Sequence, residues 1–411
     1  MIVKRVEKHL IKQNNVYYPM FCDFAHKAKN LYNHANFLVR NEFVKNNKWI
    51  RYNEMDKMLK ADLKFDDYKQ MPTAQSAQQT LRLLEKDWKS FFTAIKDWSK
   101  HKDKYLGRPK LPKYKAKDGK HILILTNQNV KLKDNILVFP KTFHGFTIKP
   151  KFTKHDNFVS FQQVRFKPNY KSFVVELVYN IEVPSTNLLD NKRYLSVDIG
   201  VDNLATVVNN TGLQPVVING KGLKSINKYY NKQISYYREI AKRMNGRDYT
   251  NKMYSLTMKR NCKINDYMHK ASKYLIEYAI ANHFNTIVIG NNKGWKQNSA
   301  MSKTVNQTFV GIPHKKFIEM VQYKAENIGI SVIITEESYT SGTSFLDNEG
   351  PIKSNYNKNR RIHRGLFISN KGIKINADVN GAYQIMKKVF PNAYSNGIKG
   401  VVLHPIRVNV A

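Results

Sequence analysis

Four carboxylates stand out in a chain that is poor in them. Asp198 interrupts the apolar run "YLSVDIG", Asp378 opens "ADVNGAYQIMKKVF", and Glu336 and Glu337 close "ISVIITEE". A charged carboxylate inside a buried strand is unfavourable unless something compensates it. Acids gathered at one place raise one another's pKa, and a cation among them relieves the repulsion. Oxygen donors of this kind suit Mg²⁺, which prefers near-octahedral oxygen ligation. Two such ions about 4 Å apart hold the attacking water and the leaving oxygen of a phosphodiester in line.

Each residue also has a plainer reading. An Asp ending a strand at a turn does not fit Asp198, because Ile199 follows and the next strand starts only after Asp202, itself the better turn residue. An Asp in the first turn of a helix, as at Asp378, is common on capping grounds. Glu336 and Glu337 read equally as surface acids at a strand end. Against that stands their scarcity: 31 acidic residues face 69 basic ones. Neighbouring strand residues face opposite sides, so one of the two is expected to point inward, and either could be the one.

The elements that must hold these acids follow from periodicity. "YLSVDIG", "LATVVNN" and "QPVVING" read as three strands, with "NTG" as a turn. A long basic helical stretch from about 223 to 282 comes next. Strand "TIVIGN", helix "PHKKFIEMVQYKAENIG", strand "ISVIITEE" and the helix of Asp378 complete the order. A three-strand meander followed by helix–strand–helix–strand–helix is the order of the ribonuclease H-like fold. A further acid is then expected at the end of the fourth strand, where Gly290 stands. Parallel strands lie about 4.8 Å apart, so a long glutamate on the fifth strand reaches the same place.

Ahead of this region the pattern differs. Residues 1 to 19 read as a strand and turn, and 20 to about 100 as helices, with Pro72 as a start signal. Gln75, Gln78 and Gln79 form a polar helix face that could also read base edges. "YLGRPKLPKYKAK" cannot hold a helix and reads as an extended basic linker along a phosphate backbone. From 121 to 183, alternating segments such as "VSFQQVRFK" and "SFVVELVYNIEV" suggest a small β-barrel. Most of its aromatics belong to a core, and a minority are available to stack on bases.

The chain has 411 residues, enough for two or three domains, and a formal net charge of +38. A surplus of that size, spread along the chain, points to a polyanionic partner in an extended groove. No apolar run reaches the roughly 18 residues of a membrane span, and "MIVKRVEKHL" lacks the apolar core of a signal peptide, so no membrane partner is expected. Cys22 and Cys262 form no CxxC pair, which suits a reducing cytoplasm and excludes a cysteine-rich zinc site.

"LSVDIGVDNLATVV", "EESYTSGTSFLD", "RRIHRGLF" and "INADVNGAYQIM", with "MPTAQSAQQTLRLLEKDWKSFF" and "GRPKLPKYK" ahead of them, resemble the TnpB proteins. These are transposon-encoded RNA-guided DNA endonucleases related to compact type V CRISPR effectors. The resemblance covers nearly the whole chain. It implies a multidomain α/β protein: an RNase H-like (RuvC) nuclease domain at 191–337 and 376–411, a helical recognition domain with its basic linker at 20–120, and a β-barrel wedge domain at 1–19 and 121–190. An inserted target-strand-loading segment would span 338–375. It implies a guide RNA from the transposon end and a double-stranded DNA target, a monomer or weak dimer, and a bacterial cytoplasmic, nucleoid-associated setting. Guide pairing would read the target after the protein checks an adjacent motif.

Carried over by position, Asp198 and Asp378 would be the first and last catalytic acids, with Glu336 or Glu337 completing a site for two Mg²⁺. Gln75, Gln78, Gln79, Thr126 and Asn127 would contact DNA beside the target. Arg108, Lys110 and Lys113 would follow a backbone, as would Arg360, Arg361 and Arg364. The chain departs from the common pattern at Gly290, as a subset of the family does with a relocated acid. It also has no cysteine in the 338–375 insertion, so a zinc-free segment held by Tyr339, Phe345 and Phe367 is expected. The rival readings are a nuclease-inactive guided repressor, motivated by Gly290, and a protein-only resolvase or transposase of the same fold.

Overall fold

The computed structural model describes residues 1–62, 64–184, 190–246, 249–292, 302–363, 365–394 and 402–410. The chain divides into two units, Met1–Glu182 and Val183–Ala411.

In the first unit, strand β1 (Ile2–Lys12) leads to three helices, α1 (Tyr18–Asn46), α2 (Tyr52–Ala61) and α3 (Ala74–Lys100). Thr73 caps α3 by accepting from the Ser76 amide while the Ser76 hydroxyl accepts from the Thr73 amide, a capping box placed right after Pro72. Six strands follow: β2 (Leu123–Thr126), β3 (Lys131–Lys133), β4 (Ile136–Val138), β5 (Thr147–Ile148), β6 (Phe158–Asn169) and β7 (Ser172–Glu182). They do not close into the expected barrel. Among the described residues they form an open antiparallel sheet, β1-β7-β6-β2, and a separate small sheet, β3-β4-β5. Each strand is amphipathic as read, but closure needs a pairing between the two sheets that alternation alone does not encode. Phe21 of α1 stacks on Phe166 of β6 at 4.6 Å between ring centroids and fills the space over the open sheet.

The Pro-rich linker is pinned along α1. Asn36 donates to the Pro112 carbonyl (3.0 Å), and Asn33 both donates to the Lys115 carbonyl (2.9 Å) and accepts from its amide (2.8 Å). Two asparagines thus satisfy a backbone that no ladder could serve.

The second unit is built on a six-stranded sheet. β8 (Tyr194–Ile199), β9 (Asn203–Asn209) and β10 (Val216–Asn219) make an antiparallel meander. Helices α4 (Lys221–Asn245) and α5 (Asn251–Ala281) lead to β11 (Thr286–Gly290), which pairs parallel to β8. After α6 (Lys303–Val310) and α7 (His314–Glu326), β12 (Ser331–Thr335) pairs parallel to β11. A small antiparallel sheet of β13 (Arg361–His363), β14 (Leu366–Ile368) and β15 (Lys374–Ile375) precedes α8 (Ala377–Val389), and β16 (Ile406–Val408) joins the far edge. The order is β12-β11-β8-β9-β10-β16.

Three details differ from the sequence reading. The helical stretch 223–282 is two helices, because Gly246 takes a left-handed conformation (φ 64°), stops α4, and is followed by Thr250 as the cap of α5. The fifth strand ends at Thr335, so Glu336 and Glu337 lie just past it. β16 was not anticipated, since three residues carry no period.

Alternation sorts the faces. Leu195, Val197 and Ile199 of β8 join Met268, Leu275, Phe317 and Val321 of α5 and α7 in one core. Tyr194, on the opposite face, joins Ala382, Tyr383 and Met386 of α8 in another. Asp198 is two steps beyond Ser196 on that second face, so the pleat delivers its carboxylate to the helix that carries Asp378. Phe345, Phe367 and Ile375 of the insertion are buried in the same core, whereas Tyr339 is exposed. No helix among the described residues is long and apolar enough to cross a membrane.

Candidate active site

One pocket of about 260 Å³ opens at the ends of β8 and β11, and Asp198, Glu337 and Asp378 line it together with Asn203, Asn292 and Arg361. Each carboxylate is held differently. Asp378 sits in the first turn of α8, but the capping role belongs to Asn376, which accepts from the amides of Asp378 and Val379. The Asp378 carboxylate is therefore free to turn into the pocket. There it accepts from Asn203 (2.7 Å) and from the Arg361 guanidinium (3.0 Å).

Glu337 is fixed by a reciprocal pair with Asn292. Its amide donates to the Asn292 side-chain oxygen (3.0 Å), and the Asn292 amide group donates to its carboxylate (3.3 Å). Glu336, one residue earlier, turns to solvent and pairs with Lys388 (3.0 Å) and Ser338 (2.7 Å). The two glutamates left open by the sequence thus part: Glu337 faces Asp198 and Asp378, and Glu336 does not line the pocket.

Gly290 is the counterpart of Glu337. A Cβ at Gly290 would lie 2.8 Å from Oε2 of Glu337 and 2.6 Å from Cδ1 of Ile385. The space a fourth-strand side chain would fill is shared by Ile385 and the carboxylate arriving from beyond the fifth strand. Gly381 does the same for Asp198, since a Cβ there would lie 3.0 Å from Oδ2. Two glycines, on β11 and α8, make room for two acids.

The electrostatics follow from this crowding. Burial, then Asp378, then Glu337 push Asp198 well above the usual carboxylate range, with Arg361 opposing them. Burial, then the neighbouring Glu336, push Glu337 up to about 7, with Lys388 opposing. Glu336 is shifted down by Ser338 and Lys388. In this state the acids carry a strain that positive charge would relieve.

The donor set is all oxygen, as Mg²⁺ prefers. The side-chain oxygen of Asn203 is buried at the pocket with no hydrogen-bond partner, an acceptor still available to a cation or its water. The fit is one of chemistry more than of finished geometry. Among the described residues, no three acids, histidines or cysteines stand close enough together to hold an ion as placed. Arg361 supplies the positive charge at Asp378 instead.

Asn203, Asn292 and His314 escaped the sequence reading. His314, buried at the start of α7, bonds the Gly200 carbonyl (2.9 Å) and pins the loop after Asp198. The only signal for Asn203 and Asn292 was position: Asn292 stands just past the strand that bears Gly290, and Asn203 opens the strand that follows Asp198.

The other residues singled out fall in several places. Gln75 accepts from the Thr126 hydroxyl (2.6 Å) and donates to Gln128, so the start of α3 and the end of β2 form one amide-rich patch. Gln78 and Gln79 are half-buried beside it on α3, and Asn127 is exposed. Arg108, Lys110 and Lys113 line a pocket of about 540 Å³ with Arg40, Phe43 and Phe91. Arg360 turns inward to Glu349 (2.7 Å) and Asp347 (4.0 Å), which keeps its charge within the insertion, away from a strand. Arg361 belongs to the acid pocket. Arg364 lies outside the described residues.

Comparison with known proteins adds a family context. Residues 176–296 match the OrfB_IS605 family, described as a probable transposase. Residues 314–385 match the Cas12f1-like TNB domain. No curated protein sequence matches the chain. Among solved structures, the mini-RNA-guided endonuclease CRISPR-Cas_phi3 aligns with a TM-score of 0.51 at 10% identity, over 98% of this chain and 94% of that one. A Cas12f1–sgRNA–target DNA complex aligns with a TM-score of 0.37 at 14% identity, over 93% and 98%. The first of these carries a likeness of fold.

Proposed function

We propose that this chain, whose residues 176–296 and 314–385 match the OrfB_IS605 family and the Cas12f1-like TNB domain, is an RNA-guided endonuclease that hydrolyses phosphodiester bonds of double-stranded DNA. Its second unit is the RNase H-like (RuvC) nuclease, with residues 338–375 inserted to bring the target strand to it. Its first unit is the recognition and wedge portion. The observation that carries the reading is the carboxylate of Glu337 lying over Gly290: the acid missing from the fourth strand has a substitute in the same space.

Asp198, Glu337 and Asp378 would hold two Mg²⁺ ions, with the free oxygen of Asn203 beside them. Bound there, the metal lowers the pKa of water and stabilises charge on the leaving oxygen. The chain's own residues prepare that site. Asn292 aims Glu337, Asn203 and Arg361 aim Asp378, and Gly290 and Gly381 keep side chains out of the way. Arg361 would share Asp378 with the metal, which keeps a positive charge beside the acids. The surplus of +38 suits a guide RNA and a DNA duplex held together. Gln75, Thr126 and Asn127 are the DNA-reading candidates, and Arg108, Lys110 and Lys113 the backbone contacts. The probable-transposase family supports a guide derived from a transposon end.

The test is cleavage of target DNA by the RNA-bound protein in Mg²⁺, with Glu336→Gln and Glu337→Gln assayed separately. Loss of cutting in Glu337→Gln alone supports the reading. Binding of target without cutting by the parent chain overturns it and leaves a guided DNA-binding repressor. Absence of any co-purifying RNA overturns the guided part.

A further inference from the structure

A second cavity in the second unit shares no residue with the acid pocket. It measures about 570 Å³ and lies between α4 and α5. Small-ligand sites span roughly 300–1,000 Å³, so it is large enough for a nucleotide. We infer that it binds an unstacked nucleotide of a nucleic-acid single strand, with the base between tyrosine rings and the phosphates on a row of lysines.

Three tyrosines, Tyr229, Tyr230 and Tyr237, line it from α4. Lys252, Lys259 and Lys263 line it from α5. The lysine spacings of seven and four residues keep one helix face, a row about 16 Å long. Among the described residues no acid lines the cavity, and residues 221–281 hold fourteen Lys and Arg against four Asp and Glu. Lys259 and Lys263 are exposed and form no ion pair among the described residues, so their charge is available to a ligand.

The wall is fixed before any ligand arrives. The Tyr230 hydroxyl bonds Thr257 (3.1 Å), and the Arg260 guanidinium lies 5.5 Å from the centre of the Tyr230 ring. Arg260 is itself anchored to Asn227 (2.8 Å) and to the Gly311 carbonyl (2.7 Å). Tyr229 is 62% exposed, and Tyr237 has Lys252 5.8 Å from its ring centre. An exposed ring on a surface helix is common taken singly. Rings set around a recess under a row of cations are the arrangement that holds a base by stacking and a backbone by charge. The recess decides for a single strand. A paired, stacked base cannot enter it, and a duplex reaches only the lysines at the rim.

The test uses the full chain, stripped of nucleic acid, and fluorescence anisotropy with a labelled single-stranded RNA 12-mer, the same sequence as DNA, and an RNA duplex. The Tyr229→Ala/Tyr237→Ala double variant should lose at least about tenfold for single strands, with its salt slope unchanged and duplex binding kept within about twofold. Tyr237→Phe should bind like the parent chain, which excludes a folding defect. Lys259→Ala/Lys263→Ala should weaken every ligand and lower the salt slope by about 1 to 2. A stronger loss for RNA identifies the guide as the source of the strand, and a stronger loss for DNA identifies the target. Equal loss for single strand and duplex, or no loss, overturns the inference. Cutting by a guide-loaded parent chain separates this failure from failure of the nuclease reading, because the anisotropy does not depend on cleavage.

Discussion

The acid pocket and the α4–α5 cavity belong to one unit and follow opposite rules. In the acid pocket two of the three carboxylates are tied to partners of the same chain: Asp378 to Asn203 and Arg361, Glu337 to Asn292. Around the cavity the lysines stand in solvent and only the wall is tied down. The first arrangement tolerates one geometry, because transition-state chemistry is lost with small displacements. The second tolerates many, because stacking and charge accept any base. Acids are scarce here, and those in the pocket are held in spite of mutual repulsion. Lysines are abundant, and Lys259 and Lys263 of α5 form no ion pair among the described residues.

If that contrast is right, substitutions at the acids should act sharply and locally. The largest effect is expected from Asp198→Ala, which should abolish cutting while leaving RNA affinity unchanged, as read by cleavage and filter binding in parallel. Loss of RNA affinity as well would make Asp198 structural and blur the two regions. Next comes Asn292→Ala, which frees Glu337 to swing. By analogy with the partners that orient metal ligands, cutting at limiting Mg²⁺ should fall about 10- to 100-fold and recover at high Mg²⁺. Gly290→Ala should cost about tenfold and lower the melting temperature by a few degrees, since its Cβ presses on Ile385 and displaces Glu337. A variant that cuts normally would show that Glu337 needs no vacated space.

The smallest effect is in pH and stability, and its sign follows from the direction of the shift. Glu337 binds its proton more tightly when folded, with its pKa raised from 4.5 to about 7. Without metal, the parent chain therefore loses stability as pH rises from 4.5 through 7. Glu337→Gln should melt higher than the parent at pH 8 in EDTA, and the gap should close near pH 4. Cutting at fixed, limiting Mg²⁺ should fall as pH drops below about 7, because the proton competes with the metal. A gap that is constant with pH would mean that Glu337 acts through packing alone.

Much of the second unit was legible in its sequence. Asp198 inside the apolar run "YLSVDIG" reads as a buried-strand acid, and the order of elements pairs it with Asp378 of the last helix. The choice between Glu336 and Glu337 was not legible, because it depends on Asn292 and Lys388 arriving from distant segments. Nor was the place of Arg361, whose basic surroundings read as a strand contact until β13 carried it to Asp378. The open sheet of the first unit was missed for a similar reason. Alternation reports which side of a strand is wet, and says nothing of whether its edge finds a partner. The break at Gly246 could have been found, since a glycine between two basic helical runs is a stop signal.

The pairing of β1 with β7 has a consequence for how the chain comes to be folded. Eleven residues of β1 find partners in β7, and Ile2 opposes Glu182 across 180 positions. At a synthesis rate of about 5–20 residues per second, β1 waits roughly 9–36 s between its own emergence and that of its partner. Through that interval the segment lacks its partner, and in strand conformation Ile2, Val6 and Leu10 fall along one side. Its lysines and arginine at positions 4, 5, 8 and 12 are the kind of charge that keeps such an edge from joining another chain. The strand's basic residues therefore suit a gatekeeping role during synthesis.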